Sequence, residues 1–232
     1  MKTGIEVKAI DFWRGTRGTL VFLGLMLVFR SACADWMVVP SGSMNPTVID
    51  GDRVLVDKRA YGLRIPFTLD RMVDVGDPQR GDVVVLESPE NGVTLLKRVV
   101  AVPGDTVAMQ DERLIVNGAA ARYEALPPET GDALLSTVRD SQPIYLREEL
   151  LGVSHATMRL PQIEARRNFA AIEIPAGSYL VMGDNRDNSH DSRYFGLVRR
   201  EAIFGKATRV VVSLDPEHGY LPRSGRWFSP LL

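Results

Sequence analysis

The amino-acid sequence predicts a mainly β domain that follows one hydrophobic helical segment and is interrupted by an inserted subdomain. Beyond Trp36 the chain consists of short runs rich in Val, Leu and Ile, separated by Gly, Pro, Asp and Asn. Such runs and separators are typical of strands and turns. Before Trp36 lies an uninterrupted apolar run, Leu20–Phe29, which is typical of a membrane helix or of a secretory leader.

The N-terminal segment carries a charge bias that predicts its orientation. By the positive-inside rule, residues 1–17 form a cytoplasmic N-terminus, residues 18–36 a transmembrane anchor, and the rest lies outside the membrane. The apolar run is shorter than the ~20 residues of a typical span, and Ala32-Cys33-Ala34 fits a signal-peptide cleavage site, so retention and cleavage both stay open. The charges ahead of the run are Lys2, Lys8, Arg14 and Arg17 against Glu6 and Asp11.

The exported part contains the predicted strands. Asn91-Gly92 lies between two β-rich runs and so does Asn117-Gly118, and each pair predicts a β-hairpin. Residues 37–118 and 173–232 are therefore predicted to form the β core. The β-rich runs cover residues 53–56, 82–87, 94–102, 113–116, 178–182 and 206–214.

Residues 119–172 differ in composition from the predicted core. They contain more Ala, Glu and Arg and fewer β-branched residues, and two stretches, Thr130–Val138 and Arg147–Leu151, show a weak helical pattern. We expect this segment to form an insertion or cap subdomain.

The bulk composition excludes several classes of protein. Lys and Arg total 28 against 29 Asp and Glu, so no basic field recruits nucleic acid. One cysteine excludes an intramolecular disulfide framework, and three scattered histidines provide no Cys/His metal spacing. We expect neither a metal nor a cofactor.

Two serines, Ser41 and Ser43, flank a glycine between Pro40 and Pro46, directly after the hydrophobic segment. A serine hydroxyl becomes a nucleophile when a neighbouring base removes its proton. His155 lies in the insertion and His218 in a Gly/Pro-rich tail. His190 is adjacent to Asp191, and adjacent residues rarely align as a Ser-His-Asp triad, so we interpret it as a surface residue.

Lys97 is the sharper candidate for the base. Strand alternation places Leu95, Lys97 and Val99 on one face, which should be apolar. A lysine there either snorkels to solvent or loses its proton, because burial lowers the pKa of an amine. A pKa shift from ~10.4 to ~8 corresponds to about 3 kcal/mol of differential destabilisation.

A polar loop, 183–196, follows the strand at 178–182 directly. It is dense in Asp, Asn, Arg and Ser. Counted from Asp184 or from Asp187, it has neither the glycine at the sixth place nor the glutamate at the twelfth place that a calcium-binding loop requires. We interpret it as a loop that supports the site.

These stretches resemble the consensus segments of bacterial type I signal peptidase, a membrane-anchored Ser/Lys endopeptidase. The order of the segments and the single hydrophobic segment upstream also agree. The resemblance covers the anchor and most of the core but not residues 119–172. The matching segments are PSGSMNPT (40–47), GDRVLVDK (51–58) with AYGLRIPF (60–67), KRVVAVPGD (97–105) and GDNRDNSHDSR (183–193).

The resemblance implies a role for individual residues. Ser43 corresponds to the nucleophile and Lys97 to the general base. Ser41 corresponds to the residue whose hydroxyl joins the Ser43 backbone N–H in the oxyanion hole, and Ser189 to the serine that orients the lysine amine. Asp191 and Arg193 correspond to an ion pair that supports the loop, and the substrate pockets correspond to Met37, Val39, Met44, Val48, Leu95 and Leu96.

The resemblance further implies a single-pass protein of the bacterial inner membrane, with its anchor retained and its catalytic domain on the periplasmic side. Its partners would be preproteins with signal peptides, cleaved after small residues, together with the lipid bilayer and nearby translocation machinery. Three alternatives stay open: a specialised Ser/Lys maturation peptidase of the conjugative-transfer type, a LexA-like self-cleaving protease, and a membrane-tethered β binding module without catalysis.

Overall fold

The computed structural model describes residues 4–65, 71–127 and 142–231. The chain begins with one long helix, α1 (Gly4–Ala32), and continues directly into the first strand, β1 (Ala34–Val38). Residues 34–36, the last three of the predicted anchor, belong to this strand, and their backbone pairs with residues 55–57 of the next strand, β2 (Asp52–Asp57). Among the described residues, no helix combines the length and the apolar character needed to cross a membrane.

The predicted mainly β fold is confirmed, and all the predicted strands are present. A nine-stranded antiparallel sheet has the order β1-β2-β16-β5-β6-β14-β15, with two short strands, β17 and β18, added to β16. The further members of this sheet are β2 (Asp52–Asp57), β5 (Val83–Glu87), β6 (Thr94–Ala101), β14 (Ser178–Met182), β15 (Val198–Arg199), β16 (Ile203–Asp215), β17 (Leu221–Pro222) and β18 (Ser229–Pro230).

The described residues also form three smaller sheets. They have the orders β13-β7-β8-β9, β10-β11-β12 and β3-β4. A one-turn helix, α2 (Ser192–Phe195), lies in the polar loop after β14. The strands are β3 (Gly62–Arg64), β4 (Arg71–Asp74), β7 (Thr106–Gln110), β8 (Arg113–Val116), β9 (Ala119–Ala120), β10 (Arg122–Ala125), β11 (Ile144–Leu150), β12 (Val153–Arg159) and β13 (Phe169–Glu173).

The segment 119–172 is more strand-rich than its composition indicates. Its first strand, β9, pairs with β8, and its last strand, β13, pairs with β7. Both β7 and β8 lie outside the segment. The helical pattern at Arg147–Leu151 is wrong, because β11 pairs along its whole length with β12. The other helical pattern, Thr130–Val138, lies outside the described residues.

Both Asn-Gly hairpins are confirmed. Asn91-Gly92 joins β5 to β6, and this pairing places Val84 opposite Lys97. Asn117-Gly118 joins β8 to β9 with φ angles of 52° and 78°, the left-handed conformation that such a tight turn requires. The first hairpin matters for the site, because it sets the register of the strand that carries Lys97.

Strand β6 is buried on both faces, and this positions the site. Leu96 packs on one face, against a cluster that contains Met44 and Val48 of the loop after β1. On the opposite face, Leu95 packs against a cluster that contains Val99. A charged side chain on this strand therefore has little access to water.

Candidate active site

The loop after β1 carries Ser41 and Ser43 and is held at both ends by the sheet. The Val39 N–H donates to the Asp52 carbonyl, which continues the pairing of β1 with β2. A 3₁₀ turn, Gly42–Met44, follows. Met44 is fully buried whereas Ser43 is half-buried, so the turn anchors its apolar residue in the core and presents the serine hydroxyl at the surface of the sheet.

The structure brings Ser43 and Lys97 together. Lys97 Nζ lies 2.9 Å from Ser43 Oγ, across 54 positions of sequence. It also donates to the carbonyl oxygen of Leu96 at 3.0 Å. Ser41 Oγ lies 3.4 Å from Ser43 Oγ, so both hydroxyls are within reach of a group bound at this point.

The environment of Lys97 favours its neutral form. Its side chain is 2% exposed, and burial lowers its pKa to about 8 from a usual value of 10.5. The negative charges of Asp191 and Asp184 act in the opposite direction, and the positive charge of Arg193 adds to the lowering. An amine with this pKa accepts a proton from a hydroxyl near neutral pH far better than an exposed lysine does.

Asp191 and Arg193 form a buried ion pair in the loop after β14. Arg193 Nε and Nη2 donate to the two carboxylate oxygens of Asp191 at 2.9 and 2.8 Å. The Gly183 N–H donates to the same carboxylate at 3.1 Å. Although burial acts to raise the pKa of Asp191, the Arg193 guanidinium lowers it overall, so the pair is ionised and fixes the loop.

Ser189 lies beside this ion pair, but the structure does not hydrogen-bond it to Lys97. Its buried hydroxyl makes no hydrogen bond of regular geometry among the described residues, but it lies close enough to the Asp191 carboxylate to help lower the pKa of that group. Ser189 is nevertheless near Ser43, because a Cβ atom added at Gly183 would overlap both Ser189 Oγ and the Ser43 carbonyl oxygen. Gly183 therefore leaves the space in which the loop and the serine turn approach each other.

Arg98 and Asp184 form a second buried ion pair that sequence analysis missed. Arg98 Nε and Nη2 donate to the carboxylate of Asp184 at 2.8 and 2.7 Å, and Thr47 Oγ1 donates to it at 2.5 Å. Burial acts to raise the pKa of Asp184, but the Arg98 charge lowers it overall. Arg98 itself could have been singled out from the sequence, because the argument for Lys97 applies equally to an arginine on a strand that is buried on both faces.

Asn185 is a second residue that sequence analysis missed. Its side-chain Nδ2 donates to the Gly42 carbonyl at 3.0 Å, and its backbone N–H donates to the Ser43 carbonyl at 3.1 Å. The Asn45 N–H also donates to the Gly42 carbonyl, at 3.1 Å. The Gly42 carbonyl and the Ser43 N–H belong to the same peptide group, in which N–H and C=O point in opposite directions. The two hydrogen bonds to the Gly42 carbonyl therefore fix the direction of the Ser43 N–H.

Two of the three histidines are engaged at the surface, away from Ser43. His190 Nε2 lies 2.7 Å from Glu90 Oε2 and the ring is exposed, as sequence analysis expected. His218 Nδ1 lies 2.9 Å from the carboxylate of Asp215. Neither ring contacts the serine turn.

The third histidine, His155, belongs to a buried charged cluster beneath the polar loop. Arg186 Nη2 donates to Glu148 Oε1 at 2.9 Å, and His155 Nε2 lies 3.5 Å from the same oxygen. Burial lowers the pKa of His155 to about 4, and the positive charge of Arg98 adds to the effect. His155 is therefore neutral at pH 7 and contributes packing rather than charge.

The residues assigned to substrate pockets belong to two apolar clusters, one on each face of β6. Five of them form part of one apolar cluster beside the serine turn, whereas Leu95 packs on the opposite face, on the side of Lys97. The structure therefore groups most, but not all, of the proposed pocket residues. Those in the common cluster are Met37, Val39, Met44, Val48 and Leu96.

The chain is similar in sequence to known signal peptidases. A signal peptidase I from Pseudomonas aeruginosa is 40% identical over 88% of the chain and 74% of its own length. Signal peptidase I P from Bacillus subtilis subsp. natto is 31% identical over 84% of the chain and 87% of its own length. A solved structure of a signal peptidase I from Enterococcus faecalis is 32% identical and covers 58% of the chain and 100% of its own, with a TM-score of 0.35.

The family described as signal peptidase, peptidase S26, matches residues 13–212. This range contains all the segments on which the sequence resemblance rests, from the serine turn to the polar loop. The resemblance is thereby confirmed: the chain belongs to the signal peptidase family, peptidase S26.

Proposed function

We propose that this signal peptidase removes N-terminal signal peptides from exported preproteins by means of a Ser43/Lys97 dyad. The observation that carries the proposal is the 2.9 Å separation of Lys97 Nζ and Ser43 Oγ at a lysine whose pKa burial lowers to about 8. A nucleophile and a base within hydrogen-bonding distance are the minimum that acyl transfer requires.

In the acylation step, neutral Lys97 accepts the hydroxyl proton of Ser43 while the serine oxygen attacks the scissile carbonyl carbon. The resulting oxyanion accepts hydrogen bonds from the Ser41 hydroxyl and the Ser43 N–H. Each such donor contributes about 2.7–4 kcal/mol to transition-state stabilisation. When the intermediate collapses, the C–N bond breaks, and the Lys97 ammonium gives its proton to the leaving amine.

Deacylation uses the same groups in reverse. Lys97, neutral again, accepts a proton from a water molecule whose oxygen attacks the acyl carbon. The ester bond breaks, and the Ser43 oxygen recovers a proton from Lys97. These steps require only side chains, backbone donors and water.

We assign Ser189 the role of orienting the amine. Its hydroxyl is buried and lies against Gly183, on the same side as the Ser43 carbonyl. Neutral Lys97 has two N–H donors, of which one is directed at Leu96. A rotation of the Ser189 side chain toward the second donor would leave the nitrogen lone pair directed at Ser43.

The apolar cluster beside the serine turn is the proposed binding site for the small residues that precede the cleaved bond. Its members are aliphatic or thioether side chains, and they lie on the face of β6 that carries Leu96. A substrate that runs extended beside an enzyme strand places alternate side chains toward such a surface. Leu95, on the opposite face, is assigned to the wall nearest Lys97 rather than to this cluster.

We further propose that the helical part of the predicted anchor, from residue 18 to the end of α1 at Ala32, holds the chain in the bacterial inner membrane, with the catalytic domain on the periplasmic side. Large apolar side chains from Leu20 to Val28 are exposed, which suits a lipid environment. Trp36 is 46% exposed and lies under the Arg30 guanidinium at 4.7 Å, an arrangement typical of a membrane interface.

The position of Ala34 supports the proposal that the anchor is retained. This last residue of Ala32-Cys33-Ala34 lies in β1 and pairs with Asp57 of β2. Cleavage after Ala34 would first require this end of β1 to leave the sheet. Proteases bind their substrates extended, so the intact pairing protects the bond.

A panel of purified preproteins tests the proposed function. The full-length protein in lipid vesicles is expected to cleave several unrelated preproteins after a small residue, as shown by mass spectrometry of the products. Cleavage of a single dedicated substrate would instead indicate a specialised maturation peptidase. Intact mass of the enzyme itself shows at once whether the anchor is retained.

A further inference from the structure

A lysine of the catalytic domain contacts the C-terminal end of α1. Lys58 follows β2 directly, and its Nζ lies 3.2 Å from the carbonyl oxygen of Arg30 and 3.4 Å from that of Ser31. Its backbone N–H donates to the Cys33 carbonyl at 3.0 Å. These carbonyls belong to the last turn of the helix and to the residue that follows it.

The last turn of a helix is a natural binding site for an ammonium group. Its final carbonyl oxygens have no partner within the helix, and the helix dipole places partial negative charge there. Lysine side chains satisfy such carbonyls and are stabilised by the dipole. Lys58 differs from an ordinary cap because it comes from the main sheet and not from the helix itself.

Asp35 completes the connection. Its carboxylate lies 2.7 Å from Arg30 Nε and 3.3 Å from Lys58 Nζ, so it joins the helix end to the residue after β2. Lys58 is 23% and Asp35 29% exposed at their side chains, so water screens this cluster only in part. We name Arg30, Asp35 and Lys58 the junction cluster.

The backbone between the junction cluster and Ser43 contains little freedom. Residues 34–38 pair with β2 throughout, and Val39 donates to the Asp52 carbonyl and accepts from Gly51. The 3₁₀ turn that carries Ser43 follows within a few residues. The direction of the helix end and the position of the nucleophile are therefore connected through hydrogen-bonded structure and not through a linker.

We infer that Lys58 is a positioning residue that holds the catalytic domain at a fixed orientation to α1, and so fixes the place of Ser43 relative to a bilayer-embedded substrate. The inference rests on the proposed function in that α1 serves as the anchor. A preprotein whose apolar segment stays in the bilayer presents its cleavage site at a limited depth, so misplacement of the dyad lowers its cleavage. A short soluble peptide diffuses to the dyad at any orientation.

The first test compares two substrates for the full-length enzyme in vesicles. Lys58→Met is expected to lower kcat/KM about tenfold for a bilayer-embedded preprotein and less than about twofold for a soluble peptide with the same cleavage site. Lys58→Arg, which keeps a cation that can donate to the helix carbonyls, should restore most of the activity. Lys206→Met is the matched control, because the Lys206 ammonium pairs with Asp82 and not with the carbonyls at the end of α1.

Equal losses for both substrates would overturn the inference, since Lys58 would then act through the fold of the catalytic domain. An unchanged rate on the embedded preprotein would overturn it as well. If the wild-type enzyme cleaves neither substrate, the proposed function fails, and a second measurement decides the inference on its own.

That measurement is the distance between spin labels on α1 and on the catalytic domain. Labels at Val21→Cys and Arg199→Cys, both exposed positions, are introduced with Cys33→Ser to remove the native thiol. The wild-type junction should give one narrow distance distribution, which broadens in Lys58→Met. The same narrow distribution in both proteins would overturn the inference regardless of activity.

Discussion

Lys97 Nζ lies 2.9 Å from Ser43 Oγ, although 54 positions separate the two residues in sequence. The serine comes from the turn after β1 and the lysine from β6, which are brought together by the packing of Met44 and Leu96 in one apolar cluster. The polar loop after β14 contains the buried ion pair of Asp191 and Arg193, whose charges act on the pKa of the lysine. A hydrogen-bonded serine and lysine in a desolvated position are the basis of the predictions that follow.

Removal of either member of the dyad should abolish cleavage. Ser43→Ala removes the nucleophile and Lys97→Ala the base, so each should lower kcat by more than about 10³-fold, as with other nucleophile and base pairs. His190→Ala should retain activity within about twofold, since His190 is exposed and bonded to Glu90. Initial rates on a preprotein measure all three. A ranking in which His190→Ala is the most damaging would indicate a histidine base.

The rate of cleavage should rise with pH through the pKa of Lys97. Only the neutral amine accepts the serine proton, and a pKa of about 8 leaves roughly a tenth of it neutral at pH 7 and nine tenths at pH 9. The logarithm of kcat/KM should therefore increase with a slope of about one below pH 8 and level off above it. A maximum near pH 5 would be incompatible with an amine base.

The buried lysine should also reduce the stability of the fold at neutral pH. The folded-state pKa of about 8 is below the usual 10.5, so the unfolded chain binds more protons between these pH values, and stability rises with pH across this window. A pKa shift of this size lowers the free energy of unfolding at pH 7 by about 3 kcal/mol. Lys97→Met removes this cost but also loses the hydrogen bonds to Leu96 and Ser43, which reduces the gain in stability by about 1 kcal/mol.

Urea unfolding of the two proteins measures this effect. At pH 7 the free energy of unfolding of Lys97→Met should exceed that of the wild type by about 2 kcal/mol. The difference should shrink as the pH rises from 8 through 10.5, because above this range the wild-type lysine is neutral in both the folded and the unfolded state. A variant that is less stable at pH 7, or a difference independent of pH, would contradict a desolvated amine.

Asn185 should affect turnover rather than substrate binding. Asn185→Ala removes the Nδ2 donor to the Gly42 carbonyl and so loosens the peptide whose N–H is the proposed oxyanion donor. We expect kcat to fall about 10- to 100-fold with KM changed by less than about twofold. Asn188→Ala is the control, because Asn188 is exposed in the same loop. A rise in KM with unchanged kcat would show instead that Asn185 acts in binding.

Much of the fold could be predicted from the sequence because its signals are local. Runs such as 82–87 and 94–102, with Asn91-Gly92 between them, specify a hairpin without reference to the rest of the chain. Lys97 was detectable for the same reason, since a lysine among alternating apolar residues stands out within one strand. The motifs that carry the family resemblance are likewise short and contiguous.

The remainder depends on partners that lie far apart in sequence. Arg98 bonds to Asp184 across 86 positions, and no local pattern indicates that pairing. The strand β11 contains three consecutive charged residues, 147–149, that also fit a helix, and its pairing with β12 decides between the two structures. Lys58 appeared only as the last letter of a motif, because its contacts with the end of α1 require the folded junction.

Direct titration of Lys97 tests the central claim most sharply. In protein labelled with ¹³C-lysine, the Cε resonance of Lys97 is identified by its loss in Lys97→Met and followed against pH by NMR. A transition near pH 8 is the expected result, because burial beside Ser43 disfavours the charged amine. A transition at about 10.4 or above would mean that fewer than about one molecule in a thousand holds the neutral amine at pH 7, which contradicts Lys97 as the base.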